Sequence, residues 1–185
     1  QVIDSIRDEG GRVDIYGVGT RLVTAAGPGG VALGGVYKLV AIDGEPKMKV
    51  TSDIAKATVP GEKRVLRVQD VDGSFIQDVV CLAEENTPAA GDTVFDPTNP
   101  LRHTDLREGT EPVDLRTKVM EGGQRTRPAE SLATMSERCR QQMRRLPAGT
   151  LRFVNPHRYK VSISERLKDL RGEMMQAAHI GRRQL

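Results

Sequence analysis

Apolar residues at Val2, Ile3 and Ile6 are spaced as on the buried side of a helix, and Gly10-Gly11 stops it. Val13–Tyr16 then alternates apolar and polar side chains as a short strand does, and breaks into Gly17-Val18-Gly19-Thr20. A short helix over Thr20–Ala26 and a loop at Gly27–Gly30 lead to a second strand, Val36–Ile42, and a turn at Asp43-Gly44 leads on to Lys47–Val50. Lys63–Gln69 and Phe75–Leu82 are alternating or apolar runs either side of Asp72-Gly73, a hairpin signal. Pro88–Pro100 is rich in turn formers, with a short strand at Thr93–Phe95. From about residue 111 the period becomes helical. Leu132, Met135, Cys139, Met143 and Leu146 form one stripe, closed by Pro147 and Gly149. A capping box, Ser162-x-x-Glu165, with Ser164 as a rival cap, opens a last helix whose stripe is Ile163, Leu167, Leu170 and Met174. Both stripes read as packing faces, and the tail from Gly181 to Leu185 reads as frayed.

Helix, strand, glycine turn, strand is one unit of an α/β barrel or an open α/β sheet. The pattern therefore divides the chain into three parts: 1–42 as α/β, 43–100 as β-rich and 101–185 as helical. The 185 residues begin at Gln1, inside a helix, which leads to the expectation that they are the C-terminal piece of something longer. No apolar run approaches the ~18 residues of a membrane helix, and no signal-peptide pattern is present. Cys81 sits in an apolar run and reads as a buried free thiol, and with Cys139 far from it a reducing cytoplasm is the default. Charge is uneven: residues 101–185 hold 18 Lys and Arg against 10 Asp and Glu, and residues 1–100 hold 10 against 15. Such asymmetry raises nucleic-acid binding, but aromatics are only 3% and none interleave with the arginines, so a solvated helix face explains the charge and no nucleic-acid partner is expected.

The chemistry is concentrated in the first part. Two glycines let a backbone approach an anion, and the N–H groups of Gly17, Val18, Gly19 and Thr20 can converge on a phosphate, with the Thr20 hydroxyl as a further donor. Thr20 as a plain helix N-cap is the competing reading, compatible with the first. Arg21 and Lys38 are weaker candidates; each can face a phosphate group, or a surface and a partner carboxylate respectively. Gly34 and Gly35 read as close packing or as an ordinary strand entry. Asp96, in Phe95-Asp96-Pro97, reads as a Mg2+ ligand or as a turn residue, and His157 as a capping or packing residue. No cluster of Cys, His and Asp has metal-ligand spacing, so no metal site is assigned.

Several of these stretches together resemble the late-barrel and C-terminal segments of nicotinate phosphoribosyltransferases: YGVGTRLVT at 16–24, LGGVYKLV at 33–40, PKMKVT at 46–51, TVPGEK at 58–63 and NPHRYKVS at 155–162. They follow the family's order and span nearly the whole chain. The resemblance implies the last part of an irregular, TIM-like α/β barrel of the type II phosphoribosyltransferase kind, followed by a β-rich segment and C-terminal helices. It implies an enzyme, a glycosyltransferase and ligase that joins nicotinate to phosphoribosyl pyrophosphate in NAD biosynthesis, with ATP and Mg2+ as cofactors and a homodimeric, cytoplasmic assembly. In this reading Gly17 to Thr20 hold the sugar 5-phosphate. The family's phosphohistidine, its carboxylate-binding arginine and its Ser-Gly-Asp loop would lie upstream of Gln1, since none of His103, His157 and His179 stands in a matching context. Catalytic residues are therefore expected outside this chain, which alone would be inactive. A phosphoribosyltransferase for nicotinamide or another pyridine, and a truncated non-catalytic module, are the alternatives.

Overall fold

The computed structural model describes residues 2–17, 19, 37–49 and 58–183. The chain divides into two units, Gln1–Lys38 and Leu39–Leu185. In the first, α1 (Val2–Asp8) ends as its glycines predict. Gly10 adopts φ +83°, its N–H donates to the Arg7 carbonyl at 3.0 Å, and the Gly11 N–H reaches the Ile6 carbonyl at 2.7 Å. The expected strand at Val13–Tyr16 is corrected: these residues form no regular structure, and Ile15 is 85% exposed. Alternation makes a strand only where a neighbour accepts its hydrogen bonds, and among the described residues none pairs with this stretch. The barrel end expected over 1–42 otherwise falls largely on residues outside those described.

The second unit begins with a hairpin of β1 (Ala41–Ile42) and β2 (Glu45–Pro46). Asp43 and Gly44 both take positive φ, 51° and 79°, as a two-residue turn that matches strand twist requires. The expected strand at Lys47–Val50 is displaced to Glu45–Pro46, because this tight turn starts pairing at once. Then come β3 (Lys63–Gln69), β4 (Phe75–Leu82), β5 (Thr93–Phe95), β6 (His103–Asp105), β7 (Glu111–Asp114), β8 (Met120–Glu121), β9 (Gln124–Arg125), α2 (Leu132–Arg144), β10 (Val161–Ser164) and α3 (Glu165–Arg183). The bounds of β3, β4 and β5 are those the sequence pattern predicts.

One six-stranded sheet, in the order β6-β5-β10-β4-β3-β7, carries the unit. All its pairs are antiparallel except β10 with β4. The segment 101–185 is thus corrected from helical to mixed: it supplies three of these strands and the separate β8–β9 hairpin. β6 and β7 are edge strands bearing His103, Asp105, Glu111 and Asp114, so no apolar alternation marks them. β10 is the larger revision. Its insertion between β4 and β5 makes Val161–Ser164 a strand, where a capping box was expected. Ser162 is fully buried and donates to Gln77 Oε1 at 2.9 Å. Ser164 is the cap: its Oγ accepts from the Leu167 N–H at 3.3 Å.

Two apolar clusters form the core. Val68, Val79, Val94 and Leu106 pack with Ile76, and Leu82, Ile163 and Leu167 pack with Val59, Val80, Phe95 and Leu170. α3 contributes Leu167 and Leu170 to the second cluster, so its stripe does what the pattern predicts, except that Ile163 enters from the strand. α2 does not. Its cap, Ser131, is formed, but none of its residues is buried.

Candidate functional site

Of the expected phosphate turn, Gly17 and Gly19 are described, while Val18, Thr20 and Arg21 lie outside the described residues, as do Gly34 and Gly35. Neither glycine takes positive φ, and a Cβ at either would meet nothing within 4 Å. Among the described residues no neighbouring atom requires glycine at either position. Lys38 is exposed.

The motifs in the second unit act through packing. In TVPGEK, Thr58 Oγ1 accepts from the Lys49 N–H at 2.8 Å. The Lys63 ammonium gathers the carbonyls of Val59 and Gly61 at 2.8 and 2.5 Å, and half-burial pushes its pKa down. Gly61 sits at φ +78°, its N–H on the Val40 carbonyl at 2.8 Å, where a Cβ would come within 2.8 Å of Leu82 Cδ2. In NPHRYKVS, Asn155 turns the chain at φ 50°. His157 lies over Gly149, whose carbonyl accepts its N–H at 2.9 Å. The packing reading of His157 therefore holds. Asp96 is likewise a turn residue: one carboxylate oxygen accepts from the Thr98 N–H, the Thr98 hydroxyl and the Asn99 N–H at 2.7, 2.6 and 3.1 Å. These bonds, Thr98 first, hold its pKa below the usual carboxylate value.

Tyr159 leads to a polar cluster that the sequence alone does not announce. β3 and β4 place Arg67 directly opposite Asp78. The guanidinium donates two bonds to the carboxylate, at 2.9 and 3.0 Å, and the Tyr159 hydroxyl donates a third at 3.0 Å. Burial, then the Asp78 charge, holds the phenol well above its ordinary range. The Phe75 ring lies between Arg67 at 4.4 Å and Arg145 at 4.5 Å. Arg145 also donates to the Gly73 carbonyl at 2.6 Å and to Gln69. The available signal was the hairpin register, which a turn at Asp72-Gly73 nearly determines.

A cleft of about 900 Å3 opens where β3 begins and β4 and β10 end. Its lining includes Glu62, Glu84, Asp92, Glu165, Asp169 and Glu173, against a single arginine, Arg166. Carboxylates in that number repel a bare phosphate group. Among the described residues no group of three or more His, Cys, Asp and Glu is arranged to hold a metal ion. No helix of the described residues is long and apolar enough to cross a membrane. Cys81 is fully buried, and burial raises its thiol pKa.

Comparison with known proteins gives this scaffold its relatives. Residues 62–171 match the family model described as nicotinate phosphoribosyltransferase C-terminal domain. Human nicotinate phosphoribosyltransferase is 37% identical over 92% of this chain and 31% of its own length. The bovine protein of the same name is 38% identical over 89% of this chain and 30% of its own. A crystal structure of human nicotinic acid phosphoribosyltransferase superposes with a TM-score of 0.64 and 34% identity, covering 78% of this chain and 27% of that one. The chain thus spans under a third of the length of these relatives. It belongs to the nicotinate phosphoribosyltransferase C-terminal domain family.

Proposed function

We propose that this chain is the C-terminal part of a nicotinate phosphoribosyltransferase, which joins nicotinate to phosphoribosyl pyrophosphate and releases pyrophosphate, with ATP hydrolysis coupled. The observation that carries this reading is that the likeness to enzymes of that name runs over nearly the whole chain, both units included. The second unit's motifs are explained by packing, as expected of a supporting domain. The reacting groups are then assigned to the rest of a longer, cytoplasmic and dimeric enzyme. Mg2+ and ATP are assigned there too. This chain's own contribution to the site is the turn Gly17-Val18-Gly19-Thr20. Its N–H groups and the Thr20 hydroxyl bind the sugar 5-phosphate, with Arg21 and Lys38 as secondary cations. A fixed phosphate holds the ribose ring still while positive charge develops at C1.

In the longer enzyme, Thr20→Val removes one hydroxyl donor to a dianion, a charge-assisted bond worth ~1.5–3 kcal/mol. The KM for phosphoribosyl pyrophosphate should rise about tenfold or more, with the KM for nicotinate little changed. An unaltered KM for phosphoribosyl pyrophosphate would remove Thr20 from the site. Turnover of nicotinamide in preference to nicotinate would instead overturn the substrate assignment and leave the phosphate site standing.

A further inference from the structure

The sequence holds two Asp-Gly steps, Asp43-Gly44 and Asp72-Gly73, each after a β-branched residue and each in the turn of a hairpin. At such a step the glycine nitrogen can attack the aspartate side-chain carbonyl, because glycine has no side chain to hinder the approach. The structure restrains one of the two and leaves the other open. The Asp72 carboxylate accepts the Ser74 N–H at 2.8 Å. The Gly73 N–H donates to the Asp70 carbonyl at 2.8 Å, and the Gly73 carbonyl accepts from Arg145 at 2.6 Å. Arg145 also covers this glycine, 3.4 Å from where a Cβ would stand. Ring closure starts from the neutral carboxyl, and the Ser74 bonds hold Asp72 below the usual carboxylate value, which leaves less of that form. Asp43 lacks these restraints. It is exposed, and among the described residues neither its carboxylate nor the Gly44 N–H meets a partner. A Cβ at Gly44 would stand in open space. Asp43 also sits at φ 51°, in the left-handed region that costs a residue with a Cβ, and Asp72 does not.

We propose that Asp43 is a site of spontaneous modification, at which aspartate becomes isoaspartate through a succinimide. The Gly44 nitrogen bonds to the Asp43 side-chain carbonyl carbon, and its proton leaves with the carboxyl hydroxyl as water. Water then adds to one of the two ring carbonyls, and the C–N bond on that side breaks. Opening at the side-chain carbonyl restores aspartate. Opening at the main-chain carbonyl gives isoaspartate, with no net change in atoms or electrons. The product carries one more methylene in its main chain. A two-residue turn with both φ positive has no room for it, so the pairing of Ala41 with Pro46 and of Ile42 with Glu45 is lost. Asp43 and Gly44 also line the acidic cleft, whose wall changes with them.

The full-length polypeptide is aged at physiological temperature and neutral pH, then digested with trypsin, which puts the two steps in separate peptides, 39–47 and 68–102. Isoaspartate has the mass of aspartate, so the two forms are separated by chromatography and identified by electron-transfer fragmentation. Isoaspartate should accumulate at Asp43 about fivefold faster or more than at Asp72, where the Gly73 amide must first leave its hydrogen bond. Equal rates, a faster Asp72 or no isoaspartate at Asp43 overturn the proposal. Ageing in urea removes the fold from both sites, and there the two rates should converge to within about twofold. A difference that persists in urea also overturns it, because the local sequence and not the turn is then the cause. Neither readout depends on turnover, so both stand apart from a failure of the proposed activity.

Discussion

At Asp78 three donors meet one carboxylate, and removing each partner has a different consequence. Tyr159→Phe deletes one hydrogen bond and leaves Asp78 held by Arg67, so urea denaturation should show a loss of about 1 kcal/mol. Asp78→Ala leaves a guanidinium that is only 18% exposed without its counter-charge. That loss should be larger, about 3 kcal/mol, and equal losses would mean that Arg67 finds another partner. Asp96 makes the pH argument. Its folded-state pKa lies below the ordinary 3.8 because the Thr98 and Asn99 donors favour the charged form. Such a group stabilises the fold fully above its unfolded pKa, and the contribution disappears as pH falls through the folded value. Thermal melts between roughly pH 5 and 2.5 should therefore fall less steeply for Asp96→Asn than for the unmodified chain. Parallel slopes would show that the turn's hydrogen bonds do not couple to folding.

At the scale of elements, a pair of serines two residues apart separates strand from helix. Ser164→Ala removes the cap of α3 and the bond to Glu85 Oε2 at 3.0 Å, and should cost about 1 kcal/mol with some loss of helical circular dichroism. Ser162→Ala should also destabilise, by leaving buried Gln77 short of a donor, but should spare the helical signal. Helix loss from Ser162→Ala instead would restore the capping box. The difficulty of reading that stretch was physical. Val161–Ser164 has both a strand's alternation and a cap's spacing, and only the slot between β4 and β5 decides between them. β3 and β4 were legible because each alternates within itself and Asp72-Gly73 turns between them. β6 and β7 were not, because an edge strand needs backbone partners and no apolar face. Val13–Tyr16 shows the converse, an alternating pattern without a neighbour. Of the candidate site, Asp96 and His157 were legible as structural residues from their Asp-Pro and Asn-Pro contexts. The Arg67–Asp78 pairing was open to the sequence only through the hairpin register, and Tyr159 was not, since it comes from a stretch some eighty positions away.

On the proposed function the two units carry separable duties, and that separation can be measured. The second unit's motifs close turns and tie strands together, while its cleft is acidic. If the proposed enzyme is correct, substrate contact from this chain comes from the first unit, through the turn at Gly17 to Thr20 with Arg21 and Lys38 as secondary cations. In the longer enzyme Tyr159→Phe should then lower the melting temperature by a few degrees and leave both KM values within error. Thr20→Val should do the reverse, raising the KM for phosphoribosyl pyrophosphate at an unchanged melting temperature. The pair of results is more informative than either alone, because a global loss of folding moves both readouts together. A shifted KM in Tyr159→Phe, measured well below its melting temperature, would mean that the sheet positions substrate directly. The assignment of the second unit as scaffold would then fail, whatever Thr20→Val does.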